Sequence, residues 1–311
     1  MKSEHPLRVH VLEPISAAAL ARLSEGAEVV DWRDPRVTRW PEEADGLIVR
    51  TQPVAEADVA RARRLKVIGK HGVGTDNIPL AAARAKGIPV VNTPGANADG
   101  VAELVLTLAL AAARHVVSLD RALRAGTLGA IPSGRELMGC TLGVVGFGET
   151  GRRTADLFHR AFRSPVLIFK PGLTAAPEGM EVMGSLGDLL PRVDILSLHL
   201  PLSAATRHLI GARELGLMRH GSILVNAARG GLVDEVALAE ALDRGRPAAA
   251  AFDAFEVEPA PRDHPLLCQA NFIATPHIGA ATQEALDKVG LLVVDQVLEV
   301  LAGKPPRFPV G

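Results

Sequence analysis

Short β-branched strands alternate with alanine-rich helical segments along almost the whole sequence, and this alternation constrains the fold most. A first series of apolar runs comprises Leu7–Leu12, Ala27–Val30, Gly46–Val49, Leu65–Ile68 and Ile88–Val91. A second series comprises Leu142–Val145, Val166–Phe169, Ile195–Leu198, Ser222–Val225, Ala249–Phe252 and Phe272–Ala274. Helical spacing lies between the runs, as in Ile15–Leu23, Glu56–Arg63 and Leu80–Ala85. The alternation predicts βαβ units, and the continuously apolar strands predict parallel sheets covered by helices on both faces.

Two long helical stretches, Ala98–Arg114 and Ala280–Leu301, separate the two series. A chain of 311 residues is long enough for about two domains. We therefore predict an α/β fold with two doubly wound parallel-sheet domains. Residues 97–280 would form one domain, inserted into another made of residues 1–96 and 281–311. Two lobes joined by helices would leave a cleft, where ligand sites are common.

The composition excludes several classes of function. Lys and Arg total 34 and Asp and Glu total 35, so the formal net charge is -1. The aromatic residues are eight Phe and two Trp, with no Tyr. Because nucleic-acid binding needs a basic surface or a stacking platform, we expect no nucleic-acid partner. The absence of Tyr leaves His, Asp, Glu, Lys and Cys as candidates for acid–base catalysis.

The cysteines and the apolar windows bear on metal binding and location. Cys140 and Cys268 are too few for a disulfide framework or a multi-cysteine zinc site, so we expect no metal. The polar start, Met1–Pro6, runs into an apolar stretch too short for a signal peptide. The most apolar window, Glu103–Arg114, is shorter than the ~20 residues of a membrane helix. We expect a cytoplasmic protein that does not bind membranes.

A glycine motif lies between a predicted strand and a predicted helix over Arg152–Arg163. The motif is Gly146-Phe147-Gly148-Glu149-Thr150-Gly151, which has the spacing G-x-G-x-x-G. In this setting the first glycine permits a tight turn, the second lets the backbone approach a pyrophosphate, and the third lets the helix pack on the strand. The helix N-terminus adds free N–H groups and a positive dipole end. We therefore predict a dinucleotide site here rather than only a glycine-rich turn.

The next predicted strand ends at Lys170 and not at the acidic residue that commonly binds the adenosine ribose. A cation cannot accept hydrogen bonds from ribose hydroxyls, but it can pair with the 2′-phosphate of NADP. Alternatively, Lys170 is an exposed lysine and NAD is held by its other contacts. NADP sites more often use Arg, and no Arg follows in this loop. The predicted cofactor is NAD or NADP, and the sequence leaves the choice open.

Three candidate reacting groups follow predicted strands of the second series: Arg229, Glu258 and His277. Each has a simpler explanation, as a surface arginine on a carbonyl, part of a solvated acidic loop, or a packed turn residue. Together they suit the interconversion of a 2-oxo acid and a 2-hydroxy acid. Arg229 would grip the carboxylate and polarise the carbonyl. His277 would transfer the proton, and Glu258 would fix its tautomer and favour its protonated form, while the cofactor carries the hydride.

These motifs, in this order, resemble the D-2-hydroxyacid dehydrogenase family, and most closely its phosphoglycerate dehydrogenase branch. The resemblance covers nearly the whole chain, and its further markers are Gly69–Asn77, Asn92–Asn97, Val101–Glu103 and His199–Leu202. It implies a Rossmann nucleotide domain inserted into a flavodoxin-like substrate domain. It also implies a catalytic group of Arg229, Glu258 and His277.

The resemblance further implies ligand contacts. Substrate would contact Arg50, Lys70 and the amides of Val73 and Gly74. The cofactor would contact Gly146, Phe147, Gly148, Glu149, Thr150, Gly151, Lys170, His199, Pro201, Thr206, Ala227, Arg229, Asp253 and His277. Asp253 would lie near the nicotinamide carboxamide. Because the family is typically dimeric, we expect a homodimer that meets through the region Val116–Leu128.

The sequence departs from the family pattern at several places. Lys170 stands where NAD-using relatives have Asp, and Thr150 replaces the usual Ile. The segment Leu128–Pro132 lacks the Trp and basic residues common in relatives. The chain ends at Gly311, so we expect none of the C-terminal regulatory domain that long phosphoglycerate dehydrogenases carry.

Two features favour different substrates. Arg50 and Lys70 suit a second anionic group, as in 3-phosphoglycerate. The departure at Leu128–Pro132 favours a smaller acid, such as glyoxylate or hydroxypyruvate, reduced with NADP. An alternative of another class is a dinucleotide-sensing binding protein, because transcriptional corepressors that resemble this family retain the catalytic residues.

Overall fold

The structure is a computed structural model that describes residues 6–311, so the predicted polar start before Pro6 lies outside the described residues. The chain divides into two units. One contains the described residues up to Asn97 together with Ala281–Gly311, and the other is Ala98–Ala280. The predicted boundary between residues 96 and 97 differs from this division by one residue.

The first unit is built around a sheet of six strands. Its strands are β1 (Arg8–Val11), β2 (Glu28–Val30), β3 (Gly46–Val49), β4 (Val67–Lys70), β5 (Val90–Val91) and β13 (Pro309–Val310). Its helices are α1 (Ala17–Ser24), α2 (Trp40–Glu43), α3 (Glu56–Arg61), α4 (Leu80–Ala85) and α11 (Gln283–Leu301). The strand order is β13-β5-β4-β3-β1-β2, so β1 to β5 follow the flavodoxin-like order 2-1-3-4-5.

The second unit is built around a sheet of seven parallel strands. Its strands are β6 (Leu142–Val145), β7 (Val166–Phe169), β8 (Met180–Val182), β9 (Ile195–Leu198), β10 (Ile223–Asn226), β11 (Ala249–Phe252) and β12 (Phe272–Ala274). Its helices are α5 (Ala98–Ala113), α6 (Val116–Ala125), α7 (Glu149–Phe162), α8 (Leu186–Leu189), α9 (Ala212–Leu217) and α10 (Glu235–Asp243). The strand order is β12-β11-β10-β9-β6-β7-β8, which is the Rossmann order extended by one strand.

The predicted fold class is confirmed. Every residue of β3, β6, β9, β10 and β11 is buried, as expected for strands covered on both faces. In the first unit α11 packs so closely on β4 that a Cβ atom on Gly69 would lie within 3.0 Å of Val293 and Val297 side chains. Glycine at that position therefore lets the long helix approach the sheet.

The structure corrects several details. The sheet of the first unit is not wholly parallel, because β13 pairs antiparallel with β5 at one edge. β8 and β13 have only three and two residues, which is too short for a recognisable periodic pattern. The helix predicted from Ala280 begins at Gln283, because the Thr282 side chain accepts a hydrogen bond from the Ala285 amide and caps it.

No single helix among residues 6–311 is long and apolar enough to span a membrane. α5 and α6 together have the length and composition, but they meet at a bend of 59°. The apolar side chains of α5 are largely buried within the second unit, where Val105, Leu108 and Ala109 belong to its core.

Candidate active site

The three candidate reacting residues lie at one edge of the second sheet. β10, β11 and β12 are parallel neighbours, and Arg229, Glu258 and His277 follow them in that order. Because parallel strands end at the same edge, the three loops share the carboxyl edge of the sheet, where open α/β sheets bind ligands.

His277 and Glu258 are in direct contact. Nδ1 of His277 lies 2.8 Å from Oε2 and 3.1 Å from Oε1 of Glu258. A carboxylate only accepts hydrogen bonds, so Nδ1 carries a proton and donates it, which leaves Nε2 as the atom that exchanges protons. The two side chains are 49% and 39% exposed, so a small molecule can reach them.

Asp253 anchors the loop that carries His277. Its carboxylate is 2% exposed and accepts hydrogen bonds from the Thr275 hydroxyl at 2.6 Å and from the amides of Ile278 and Gly279 at 2.8 Å each. These donors flank His277, whose own backbone has a φ of 54°. Residues with a side chain rarely adopt this left-handed region, so surrounding contacts must hold it. Both Asp253 oxygens are engaged within the loop.

Asn226 shapes the loop that carries Arg229. Nδ2 of its side chain donates to the Arg229 carbonyl at 2.8 Å, and Oδ1 of the same side chain accepts from the Ala228 amide at 3.2 Å. Nη1 of Arg229 donates to the Ala228 carbonyl at 2.7 Å. A Cβ atom on Gly230 would lie within 3.0 Å of the Phe255–Glu256 peptide. The Arg229 loop therefore packs directly against the loop that carries Glu258.

The glycine turn follows β6 and fits a dinucleotide pyrophosphate. The strand order reverses between β6 and β9, which makes this the topological switch point of the sheet. A Cβ atom on Gly146 would lie within 3.0 Å of the His199 carbonyl, and one on Gly151 within 3.0 Å of the Gly146 carbonyl. Apart from Gly148 itself and its two chain neighbours, no described residue has an atom within 4 Å of the Cβ position of Gly148. Gly148 is also the N-cap of the 14-residue helix α7, so this open position lies next to the first residues of the helix, whose amides have no helical acceptor.

The other residues of the turn differ in exposure. Phe147 is buried in the core of the second unit, so it offers a ligand only its backbone. Glu149 is exposed and Thr150 is half-buried, and they are the first two residues of α7. They lie at the helix end where backbone N–H groups have no helical acceptor.

The remaining predicted cofactor positions follow other strands of this sheet. Lys170 is exposed at the end of β7, and Ala227 is half-buried after β10. His199 and Pro201 follow β9, and the Thr206 hydroxyl donates to the Pro201 carbonyl at 2.8 Å. Burial lowers the pKa of His199 to about 3, so its ring is neutral where Nε2 meets the Ser197 hydroxyl at 2.8 Å.

The predicted substrate residues Arg50, Lys70, Val73 and Gly74 belong to the first unit, not to the unit with the catalytic candidates. Val73 is 43% exposed, and its carbonyl accepts a hydrogen bond from the Asn92 side chain at 2.8 Å. Lys70 is only 8% exposed, and its ammonium donates to the Arg50 carbonyl and, at 2.7 Å, to the Asn77 side chain. Lys70 therefore ties two loops of its own unit together.

Glu13 is a residue of this region that the sequence did not reveal. Its carboxylate accepts hydrogen bonds from the consecutive amides of Arg50, Thr51 and Gln52, at 2.7, 2.7 and 2.9 Å. Burial opposes the charge, but the bonds from the Thr51 hydroxyl and the three amides outweigh it and lower the pKa of Glu13. The sequence feature that could have identified Glu13 is its position just after β1. Arg50 follows the neighbouring parallel strand β3, so the two residues lie at the same sheet edge.

No group of three or more His, Cys, Asp or Glu side chains within residues 6–311 is arranged to hold a metal ion. The arrangement is that of a nucleotide-binding α/β oxidoreductase, with a His–Glu pair and an arginine on loops at the same sheet edge. Residues 106–279 match the family described as D-isomer specific 2-hydroxyacid dehydrogenase, NAD binding domain. The chain belongs to the D-isomer specific 2-hydroxyacid dehydrogenase family, and its second unit binds NAD or NADP.

Named relatives span different lengths. The chain is 40% identical over 306 residues to the D-3-phosphoglycerate dehydrogenase of Methanocaldococcus jannaschii, covering 96% of this chain but 58% of that protein. It is 40% identical over 304 residues to the hydroxypyruvate reductase of Thermotoga maritima, covering 94% of this chain and 98% of that protein. A solved structure from Thermus thermophilus has a TM-score of 0.88 at 38% identity, covering 98% of this chain and 100% of that one.

Proposed function

We propose that the protein is an NAD(P)-dependent dehydrogenase that interconverts a small 2-oxo acid and the corresponding D-2-hydroxy acid. The observation that carries this proposal is the His277–Glu258 pair, whose geometry leaves Nε2 of His277 to exchange a proton. The pair lies at the same sheet edge as Arg229 and the glycine turn, in a unit that matches an NAD-binding domain.

Each residue has a distinct task in this reaction. A dinucleotide held at the glycine turn of Gly146, Gly148 and Gly151 would supply the hydride chemistry of this reaction. His277 donates a proton from Nε2 to the carbonyl oxygen during reduction and takes it back during oxidation. The Glu258 carboxylate stabilises the imidazolium and fixes the ring orientation. Arg229 binds the substrate carboxylate and stabilises the charge that develops on the carbonyl oxygen.

The proposed substrate is a non-phosphorylated acid of the size of hydroxypyruvate or glyoxylate. Binding a phosphate group takes several cations or backbone donors. Lys70, one of the two cations predicted for a second anionic group, is buried and donates to its own unit.

We also propose a homodimer in which α6 contacts a second copy. None of the residues of α6 is buried within the described chain, and Val116 and Leu123 are 53% and 66% exposed. Large apolar side chains exposed together mark interaction surfaces. Sedimentation of the purified protein measures the mass directly, and a monomer would contradict the proposal. A cytoplasmic location and the lack of nucleic-acid and membrane partners stay predictions from the sequence.

A panel of substrates and cofactors tests the proposal. Purified protein is mixed with NADH or NADPH and with glyoxylate, hydroxypyruvate, pyruvate or 3-phosphohydroxypyruvate, and the loss of absorbance at the nicotinamide band is followed. We expect the highest kcat/KM with glyoxylate or hydroxypyruvate. A preference for the phosphorylated acid would overturn the substrate assignment. Cofactor binding without turnover of any acid would favour the dinucleotide-sensing alternative.

A further inference from the structure

A buried carboxylate outside the reacting group lies behind the loop that carries Glu258. We propose that Glu235, together with His264, is a positioning pair that holds Glu258 in its orientation toward His277. This inference rests on the proposed function, because it assigns the pair a task in the same reaction. Neither residue is among those that would touch the substrate or the cofactor.

Glu235 is 9% exposed and is the first residue of α10. Its Oε1 accepts a hydrogen bond from the Glu256 amide at 2.9 Å, and its Oε2 accepts one from Nε2 of His264 at 2.8 Å. A carboxylate at the start of a helix is stabilised by the helix dipole, and two donors offset the cost of burying it. One carboxylate thus fixes two points of the segment after β11.

The tautomer of His264 follows from its other contact. The Leu266 amide donates to Nδ1 of His264 at 3.3 Å, so Nδ1 carries a lone pair. The ring proton is then on Nε2, the atom that faces Glu235. The His264 ring also packs edge-to-face on Phe255, with centroids 5.6 Å apart. Phe255 packs in turn on Phe252 of β11 and Phe272 of β12, which joins the loop to the core.

The same segment holds Glu258. The Phe255 amide donates to Oε1 of Glu258 at 3.0 Å, and that oxygen is also 3.1 Å from Nδ1 of His277. The amides of two consecutive residues therefore donate to different carboxylates. The Phe255 amide donates to Glu258, and the Glu256 amide donates to Glu235. Because the Phe255–Glu256 peptide also packs against Gly230, a shift in this peptide would move Glu258 relative to both His277 and the Arg229 loop.

The first test is the substitution Glu235→Gln, which keeps the shape of the side chain. The Glu235 carboxylate accepts from two donors, the Glu256 amide and Nε2 of His264. The glutamine side chain has only one acceptor oxygen, and its NH2 group faces the other donor, so one of these hydrogen bonds is lost. We expect kcat for 2-oxo acid reduction to fall by at least ~10-fold, with KM for acid and cofactor changed by less than ~3-fold, because positioning acts in the transition state. Glu181→Gln is the control, since it removes the same charge from an exposed pair with Arg192 of the same unit.

Two variants of His264 separate the hydrogen bond from packing. His264→Phe keeps an aromatic ring beside Phe255 but removes the donor to Glu235, and we expect the same loss of kcat as in Glu235→Gln. His264→Gln restores a donor at the Nε2 position, and we expect kcat within about 3-fold of wild type. If Glu235→Gln is not folded at the assay temperature by circular dichroism, this pair of His264 variants decides the question. Equal kcat in His264→Phe and His264→Gln would overturn the proposal.

A spectroscopic measurement keeps the outcome independent of turnover. In protein with 15N-labelled histidine, the Nδ1–H signal of His277, assigned with the His277→Ala variant, reports the hydrogen bond to Glu258. We expect Glu235→Gln to shift this signal and Glu181→Gln to leave it unchanged. An unchanged signal together with an unchanged kcat would refute the positioning role. If the wild type turns over no acid but Glu235→Gln still shifts the signal, the proposed function is refuted and the positioning is supported.

Discussion

Nδ1 of His277 lies 2.8 Å from Oε2 of Glu258, and the His277 backbone is held at a φ of 54° to make this contact. The contact joins residues 19 positions apart in the sequence, from the ends of two neighbouring strands. It fixes which ring nitrogen donates to the carboxylate and which is left for the proposed substrate. The proton-transfer role proposed for His277 depends on this assignment.

Replacing His277 by Ala should lower kcat for 2-oxo acid reduction by at least ~100-fold, because the general acid is lost. Glu258→Gln should have a smaller effect, about 10-fold or more, since an uncharged amide still accepts a hydrogen bond but stabilises the imidazolium less. Steady-state kinetics measure kcat, and fluorescence titration measures the Kd for NADH or NADPH. The cofactor Kd should change little in both variants. Loss of cofactor binding in His277→Ala would show that the ring holds the nucleotide instead.

Asp253→Asn should loosen the His277 loop. The buried carboxylate accepts from the amides of Ile278 and Gly279, and an Asn side chain presents a donor to one of them. An unsatisfied buried donor costs about 1–3 kcal/mol, so the free energy of unfolding should fall by that amount, and kcat should fall about 10-fold or more. Thr275→Val is the matched control, because it removes only the hydroxyl that donates to Asp253. Wild-type kcat in Asp253→Asn would mean that the loop needs no such anchor.

Alanine at the three glycines of the turn should separate folding from cofactor binding. Gly148→Ala should fold normally, because its Cβ meets no described residue within 4 Å other than its chain neighbours. Its methyl group should nevertheless raise the cofactor Kd about 10-fold or more by blocking the pyrophosphate. Gly146→Ala and Gly151→Ala should lower the unfolding temperature, since each Cβ would overlap a backbone carbonyl. Thermal unfolding and cofactor titration give the two quantities. Unimpaired cofactor binding in Gly148→Ala would place the pyrophosphate elsewhere.

The strands, the glycine turn and the contact between His277 and Glu258 were predictable because each leaves a local pattern in the sequence. Arg229, Glu258 and His277 each follow an apolar strand, and parallel strands bring such positions to one edge. The inward orientation of Lys70 was not predictable, because it depends on the Arg50 carbonyl and on Asn77 at the end of a loop.

Contacts between distant positions were the second limit. Glu13 binds amides 37 to 39 positions away, and Glu235 contacts His264 29 positions away. In the sequence each of these carboxylates resembles an ordinary residue near a helix start. Only the folded arrangement shows that each of them holds a loop that bears a candidate ligand-binding or catalytic residue.

Lys170→Asp should change the choice of cofactor. Lys170 is exposed at the end of β7, where a ribose or a 2′-phosphate would lie at the sheet edge. If its ammonium pairs with the 2′-phosphate, the ratio of kcat/KM with NADPH to that with NADH should fall about 10-fold or more. Lys304→Asp, at an exposed position in the other unit, is the control for the change in net charge. A constant ratio would mean that Lys170 is an exposed lysine without a role in cofactor choice.

His71 should make the protein sensitive to acid. It is buried in the first unit, and Nε2 has no hydrogen-bond partner among the described residues. Burial, with a further contribution from the charge of Arg50, lowers the pKa of His71 from 6.5 to about 4. The unfolded state therefore binds a proton at a higher pH than the folded state does. The free energy of unfolding should fall as the pH decreases from about 6.5 toward 4.

His71→Gln removes this titration while keeping a side chain of similar size. Between pH 7 and pH 5 the wild type should lose about 2 kcal/mol more free energy of unfolding than the variant does. Urea denaturation at the two pH values measures the difference. Some acid sensitivity should persist in the variant, because burial also lowers the pKa of His10 and His199. His220→Gln, at an exposed position, should show the wild-type pH dependence. Equal losses in wild type and His71→Gln would show that His71 is protonated in the folded protein without penalty.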